Sequence, residues 1–204
     1  MKHLTLMSTL FLLFLSCSSF GQTDDSYINE IKAFQHELNA EFSNKDESPL
    51  DSLDLAHFNS LDFFPILPKY RIRAKFVKNE HPEVFEMSTN TARRPKYIKY
   101  GDAYFTLDGK KCHLEIYQNQ SLKNNPKYKD YLFAPFGDTT NGNSTYAGGR
   151  YIDLRIPKQD GQILIDFNKA YNPYCAYSHR YSCPLIPYKN ILPVAIKAGV
   201  KKFH

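Results

Sequence analysis

The chain has 204 residues, 42% of them hydrophobic, with 15 Phe and 15 Tyr, so it can bury one substantial core and is too small for two independent domains of ordinary size. Its formal charge of +5 falls to +4 without Lys2, which belongs to an N-terminal leader. The densest basic groups, Arg71/Arg73/Lys75 and Arg93/Arg94/Lys96, are interleaved with apolar residues, which argues against nucleic acid as a partner, because a phosphate-tracking surface needs clustered basic charge.

Residues 1–22 read as a signal segment. Lys2 and His3 precede an apolar run from Leu4 to Leu15, and small residues follow. The run is too short to span a bilayer permanently. Two cleavage sites compete. Phe14-Leu15-Ser16-Cys17 resembles a bacterial lipobox, which would make Cys17 the lipid attachment site and the first mature residue; Ser19-Phe20-Gly21 would instead direct ordinary cleavage before Gln22. Either reading exports the chain, lipid-anchored in the periplasm or outer envelope on the first and soluble in the periplasm or secreted on the second. The lipoprotein reading attaches it to the membrane by its lipid alone.

Residues 23–204 read as a single β-rich domain. Tyr27, Ile28, Ile31, Phe34, Leu38 and Phe42 recur at three- and four-residue spacing and predict an amphipathic helix over 25–43, with Asp24 or Asp25 near its cap. Ser48-Pro49-Leu50-Asp51 predicts the start of a second, short helix running to about Phe58. Alternation takes over at Tyr70, where Tyr70, Ile72, Ala74 and Phe76 share one strand face. Ala103–Leu107 and Lys110–Tyr117 flank Asp108-Gly109, the signature of a two-residue type I′ hairpin that turns Cys112, Leu114 and Ile116 inward. Further strands are predicted near 83–88, 95–100, 131–136, 146–156, 162–168 and 192–197. The expected fold is mainly β, an α+β arrangement of antiparallel strands in a partly open barrel or strongly bent sheet, with two N-terminal helices.

Four runs carry a resemblance: Phe58–Pro65, Pro135–Gly142, Gly148–Leu154 and Asp166–Pro173. With Ser182–Pro187, Asn190–Pro193 and Lys197–Gly199 they resemble the family called domain of unknown function 1684, over roughly residues 30–203. The resemblance implies no activity. The family pattern often reads Ala-Gly-Glu near its C-terminus where this chain has Val200, so any role of that glutamate would be missing here.

Chemistry can be assigned only residue by residue. Cys175 and Cys183 sit in a short proline-bounded loop of an exported chain, which points to a structural disulfide; with His179 they also offer three zinc ligands, short of a fourth. No cofactor motif is present. Seven tyrosines lie between 146 and 188, each an apolar plate with a polar tip. They direct attention to a pocket between the 137–151 and 166–187 loops, formed by Asp138, Tyr146, Arg150, Asp166, Asn168, Tyr171, Asn172 and Tyr177 and suited to a small polar or planar molecule or a surface polymer. Two other readings compete: a hydrolase using Asp138 and Asp166 with Arg150 stabilising developing charge, and an envelope scaffold for protein partners. Asp153 adds a third acidic residue to the region, with Arg150 or Arg155 its natural ion-pair partner.

Overall fold

The computed structural model describes residues 20–159 and 161–204. Cys17 and nearly all of the leader lie outside the described residues. Two helices come first, α1 (Phe20–Ser43) and α2 (Ser52–His57). Seven strands follow: β1 (Arg71–Lys78), β2 (Val84–Glu86), β3 (Lys96–Leu107), β4 (Lys110–Asn119), β5 (Tyr131–Phe136), β6 (Arg150–Arg155) and β7 (Gln162–Asp166). They form one antiparallel sheet in the order β6-β5-β4-β3-β1-β7, with β2 paired to β3. The sheet curls into a half-barrel, as its alternation and turn signals led one to expect.

Period-two alternation builds the interior. Ala74 and Phe76 of β1, Ala103 and Phe105 of β3, Cys112, Leu114 and Ile116 of β4, and Leu132, Ala134 and Phe136 of β5 all point into one buried cluster. The β3–β4 hairpin turns at Asp108 (φ 48°) and Gly109 (φ 74°), the two positive values a type I′ turn needs. The predicted strands at 95–100 and 103–107 are one strand, β3, with an irregularity between Lys99 and Gly101. Gly101 makes this possible, since a Cβ there would lie 2.6 Å from the Phe76 ring and from the Val77 carbonyl.

Three expectations are corrected. Helix α1 reaches back to Phe20, so neither Asp24 nor Asp25 caps it. Helix α2 begins at Ser52 rather than Ser48, because the Ser48 hydroxyl instead donates to Phe42 O (2.6 Å) and accepts from Leu50 N (3.2 Å), holding the turn between the helices. Residues 192–197 are extended but form no ladder strand. Their polar groups are taken by a loop and a side chain: Thr139 N–H donates to Val194 O, and Arg150 reaches Ile196 O (2.7 Å), so no partner strand is needed.

Helix α1 lies against the outside of the sheet, fixed at both ends. Tyr27 Oη donates to the Asp166 carboxylate (2.9 and 3.0 Å), Lys169 pairs with Glu30 (2.6 Å), and Asn39 Oδ1 accepts from Leu61 N (2.8 Å). Tyr27, Ile31 and Phe42 are buried along its apolar stripe. Phe34 and Leu38 are only partly covered.

Candidate functional site

Strand β6 sends successive side chains to opposite faces, and the two faces differ. Inward goes Arg150, which is fully buried. Its Nη2 donates to Asp138 Oδ2 (2.9 Å) and Ile196 O (2.7 Å), its Nη1 to Ala198 O (2.5 Å) and Val200 O (3.4 Å), and its guanidinium lies over the Phe136 ring. Asp138 Oδ1 accepts from Thr140 N (2.8 Å), Thr140 Oγ1 (2.6 Å) and Ile196 N (3.2 Å). Burial pulls the Arg150 pKa down and Asp138 opposes it. This ion pair staples the C-terminal segment into the half-barrel, and its groups face protein rather than an opening.

Asp166 and Asn168 form a second internal network. Asp166 accepts from Tyr27 Oη and Asn168 N (3.0 Å), while Asn168 Nδ2 donates to Leu67 O (3.0 Å) and its Oδ1 accepts from Leu67 N (3.0 Å). These bonds tie α1 and the chain before β1 to the end of β7. Asn172 Nδ2 donates to Tyr177 Oη (3.2 Å) and Lys201 O (2.9 Å), and Tyr177 packs edge-on against Phe42 at 4.7 Å. Tyr146 is half-buried beside the Cys175 thiol. Of the eight residues read from the sequence as one pocket, the structure brings only Tyr171 to the wall of a tyrosine-lined cavity, while Asp166 lines a separate cavity of about 470 Å³. Asp138 and Asp166 share no hydrogen-bond partner, and among the described residues no cavity is lined by both.

The disulfide expected between Cys175 and Cys183 is not shown. Cys175 and Cys183 are free thiols in contact, with Cys175 N–H donating to Cys183 Sγ at 3.3 Å. Hydrogen bonds from the Cys175 thiol and N–H lower the Cys183 pKa to about 7, and the same contact holds the Cys175 proton and raises its pKa. Among the described residues, no three His, Cys, Asp or Glu side chains converge as metal ligands.

The outward face of β6 carries Tyr151 and Asp153 into a chamber of about 390 Å³. β5 contributes Tyr131 and Phe133, β3 contributes Tyr97, and the loop after β7 contributes Tyr171, Pro173 and Tyr174. Cys183 and Pro184 form one rim, Leu122 another, and α1 closes the opposite wall with Phe34, Leu38 and Glu41. The strand register explains the assembly: Phe133 stands opposite Asp153, and Pro135 opposite Tyr151, so one outer face gathers rings from adjacent strands. Phe133 meets Tyr151 edge-on at 4.7 Å, and Tyr151 meets Tyr171 at 5.9 Å.

Asp153 is the polar centre of the chamber. Its Oδ1 accepts from Tyr171 Oη (2.6 Å) and Tyr131 Oη (2.9 Å). It does not pair with Arg150, which lies on the other face, and Arg155 turns to Asp130 (2.9 Å). Asp153 lines both this chamber and the neighbouring cavity on the β7 side, and its partial desolvation raises its pKa despite the two phenol donors and Arg155. Burial and the adjacent carboxylate push the Tyr131 and Tyr171 hydroxyls upward, so both remain donors. The opposite wall repeats the motif, with Tyr174 Oη donating to Glu41. The sequence did contain a signal for this site: Tyr151, Asp153 and Arg155 alternate away from the buried Ile152 and Leu154. Tyr97, Tyr131, Phe133 and the α1 residues carried no signal of their own.

Comparison with known proteins adds kinship without chemistry. A family model described as "Protein of unknown function (DUF1684)" matches residues 56–201. The solution NMR structure of the uncharacterized protein from gene locus rrnAC0354 of Haloarcula marismortui is similar, with 33% identity and a TM-score of 0.68 over 88% of this chain and 96% of that one. No curated protein matches. The chamber wall from α1 precedes the residues that the family model matches.

Proposed function

Because the chain belongs to the family described as protein of unknown function (DUF1684), its function has to be sought in its own cavity, and we propose that it is a binding protein for a small organic molecule seated in the chamber between α1 and the outer face of β5 and β6. The observation that carries the reading is the lining itself: five tyrosines and two phenylalanines around one open carboxylate, in a volume within the usual range for small-ligand sites, roughly 300–1,000 Å³. Aromatic plates give a ligand apolar contact and orientation, and the carboxylate gives it one fixed polar anchor. The hydrolase reading is less favoured, since Asp138 and Asp166 are each engaged by separate internal donors. In this proposal the leader exports the chain and Cys17 anchors it by lipid, which would present the chamber in the envelope. Among the described residues no helix is long and apolar enough to cross a membrane.

A thermal-shift screen of small metabolites against the mature chain tests the reading. Leu122→Trp, which fills the chamber from its rim, should leave the unliganded melting temperature within about 2 °C, because the position is a partly exposed loop site. Ligands that stabilise the native chain should lose that effect in Leu122→Trp. Hits that stabilise both proteins equally, or a broad screen without hits, would count against the chamber as the site.

A further inference from the structure

We infer that the chamber selects an organic ammonium ion, a protonated or quaternary amine with compact apolar substituents, seated against Asp153 between tyrosine rings. The inference rests on the binding reading above and specifies its ligand class.

The first argument is charge. Among the described residues the lining holds two carboxylates, Asp153 and Glu41, and no Lys, Arg or His. Several carboxylates near the sheet have cations: Asp138 has Arg150, Asp130 has Arg155, Glu30 has Lys169, and Asp102 and Glu115 share Lys99; Asp166, without one among the described residues, is buried and saturated by Tyr27 and Asn168. Asp153 accepts from two neutral phenols, both on Oδ1, with Arg155 acting on it only from a distance; among the described residues Oδ2 has no protein donor, and Asp153 lines the cavity. A partly desolvated carboxylate with a free acceptor oxygen is stabilised most by a cation brought to it.

The second argument is the direction of the hydroxyl groups. Tyr131 and Tyr171 donate to Asp153, Tyr174 to Glu41 and Tyr151 to Pro184 O, so four of the five phenol protons are already directed to protein acceptors. An anionic ligand would therefore meet two carboxylates, with the Tyr97 hydroxyl as the one phenol donor not so directed among the described residues. A cation needs none, because its attraction is to the carboxylate and to the electron-rich ring faces, effective within roughly 6 Å of a ring centroid. The third argument is size: rings from three strands and the loop after β7 enclose about 390 Å³, enough for an alkylated ammonium group and too little for a long polymer segment.

The test compares choline with 3,3-dimethylbutan-1-ol, which has the same shape with carbon replacing the charged nitrogen. Calorimetric titration of the intact mature chain near neutral pH should give choline about tenfold or more tighter binding than the alcohol. Asp153→Asn, checked by circular dichroism for native fold, should reduce that preference to about threefold or less while leaving the alcohol unchanged. Should the variant misfold, the wild-type chain decides by pH: choline affinity should fall as Asp153 is protonated, and alcohol affinity should not. The groups facing Asp153 in that titration are Tyr131 and Tyr171, with Arg155 turned to Asp130 on the same strand and Glu41 across the chamber. Equal affinities for the two compounds would overturn the charge inference and leave the binding reading standing. Binding of neither compound, nor of benzyltrimethylammonium, overturns the inference outright, while hits from the neutral part of the metabolite screen would still support the chamber.

Discussion

Arg150 and Asp153 lie three residues apart on β6, point to opposite faces, and represent two ways of placing charge in a protein. The inner charge is closed: Arg150 meets a carboxylate and three backbone carbonyls, and the carboxylate is itself saturated by Thr140 and Ile196. The outer charge is half open, with one oxygen of Asp153 bonded, the other without a protein donor among the described residues, and the residue lining a cavity. Residue type alone would make Arg150 the binding group and Asp153 the structural one. Burial and internal bonding together reverse that assignment: of the Arg150 guanidinium only Nε lacks a partner, and it is fully buried, whereas Asp153 lines a cavity with no protein donor to Oδ2.

The comparison breaks most visibly through stability. Arg150→Met leaves Asp138 buried without its cation and should cost about 3–5 kcal/mol in urea unfolding. Adding Asp138→Leu should return a large part of that loss, since both charges are then gone. A loss below about 1 kcal/mol for the single variant would mean the pair is not the staple described here. Next in size, Tyr27→Phe removes the phenol that joins α1 to Asp166 and Asn168 and should cost about 1–3 kcal/mol, read by the same unfolding curve.

Asp153 should behave in the opposite sense. Its folded pKa is raised, so the protonated form is favoured by folding: the contribution is fully present below the unfolded value near about 4 and is lost as pH rises through the raised folded value. The stability of wild type relative to Asp153→Asn should therefore fall across that window and be flat above it. A rise with pH would place Asp153 in an unrecognised ion pair. The smallest effect concerns reactivity rather than stability. Alkylation of Cys183 should increase through about pH 7, ahead of the buried Cys112, whose pKa burial raises, and choline in the chamber should slow it, because Cys183 is part of the rim.

How much of this was legible in the chain depended on distance along it. The Asp108-Gly109 hairpin, the β5 strand and the apolar stripe of α1 were readable because turn chemistry and periodicity are local. The extended segment 192–197 was mistaken for a strand because alternation predicts an extended chain but not what accepts its hydrogen bonds, here Arg150 and Thr139. The site was only partly legible for the same reason. Tyr171 and the outward Asp153 were visible as residue types, but the cavity depends on α1 closing it opposite β5 and β6, whose lining residues lie ninety or more positions further along the sequence. Asp138, Arg150, Asp166 and Asn168 drew attention as polar residues in or beside the 137–151 and 166–187 loops. Their polarity fastens those loops to the rest of the fold.

The most direct measurement is an NMR titration of the mature chain carrying ring-labelled tyrosine with choline. Shifts concentrated on Tyr97, Tyr131, Tyr151, Tyr171 and Tyr174, with Tyr70 and Tyr177 unmoved, are the predicted result. Saturable shifts centred on Tyr146 and Tyr177, around the loops that hold Arg150 and Asn172, or no shifts at all, would contradict the account.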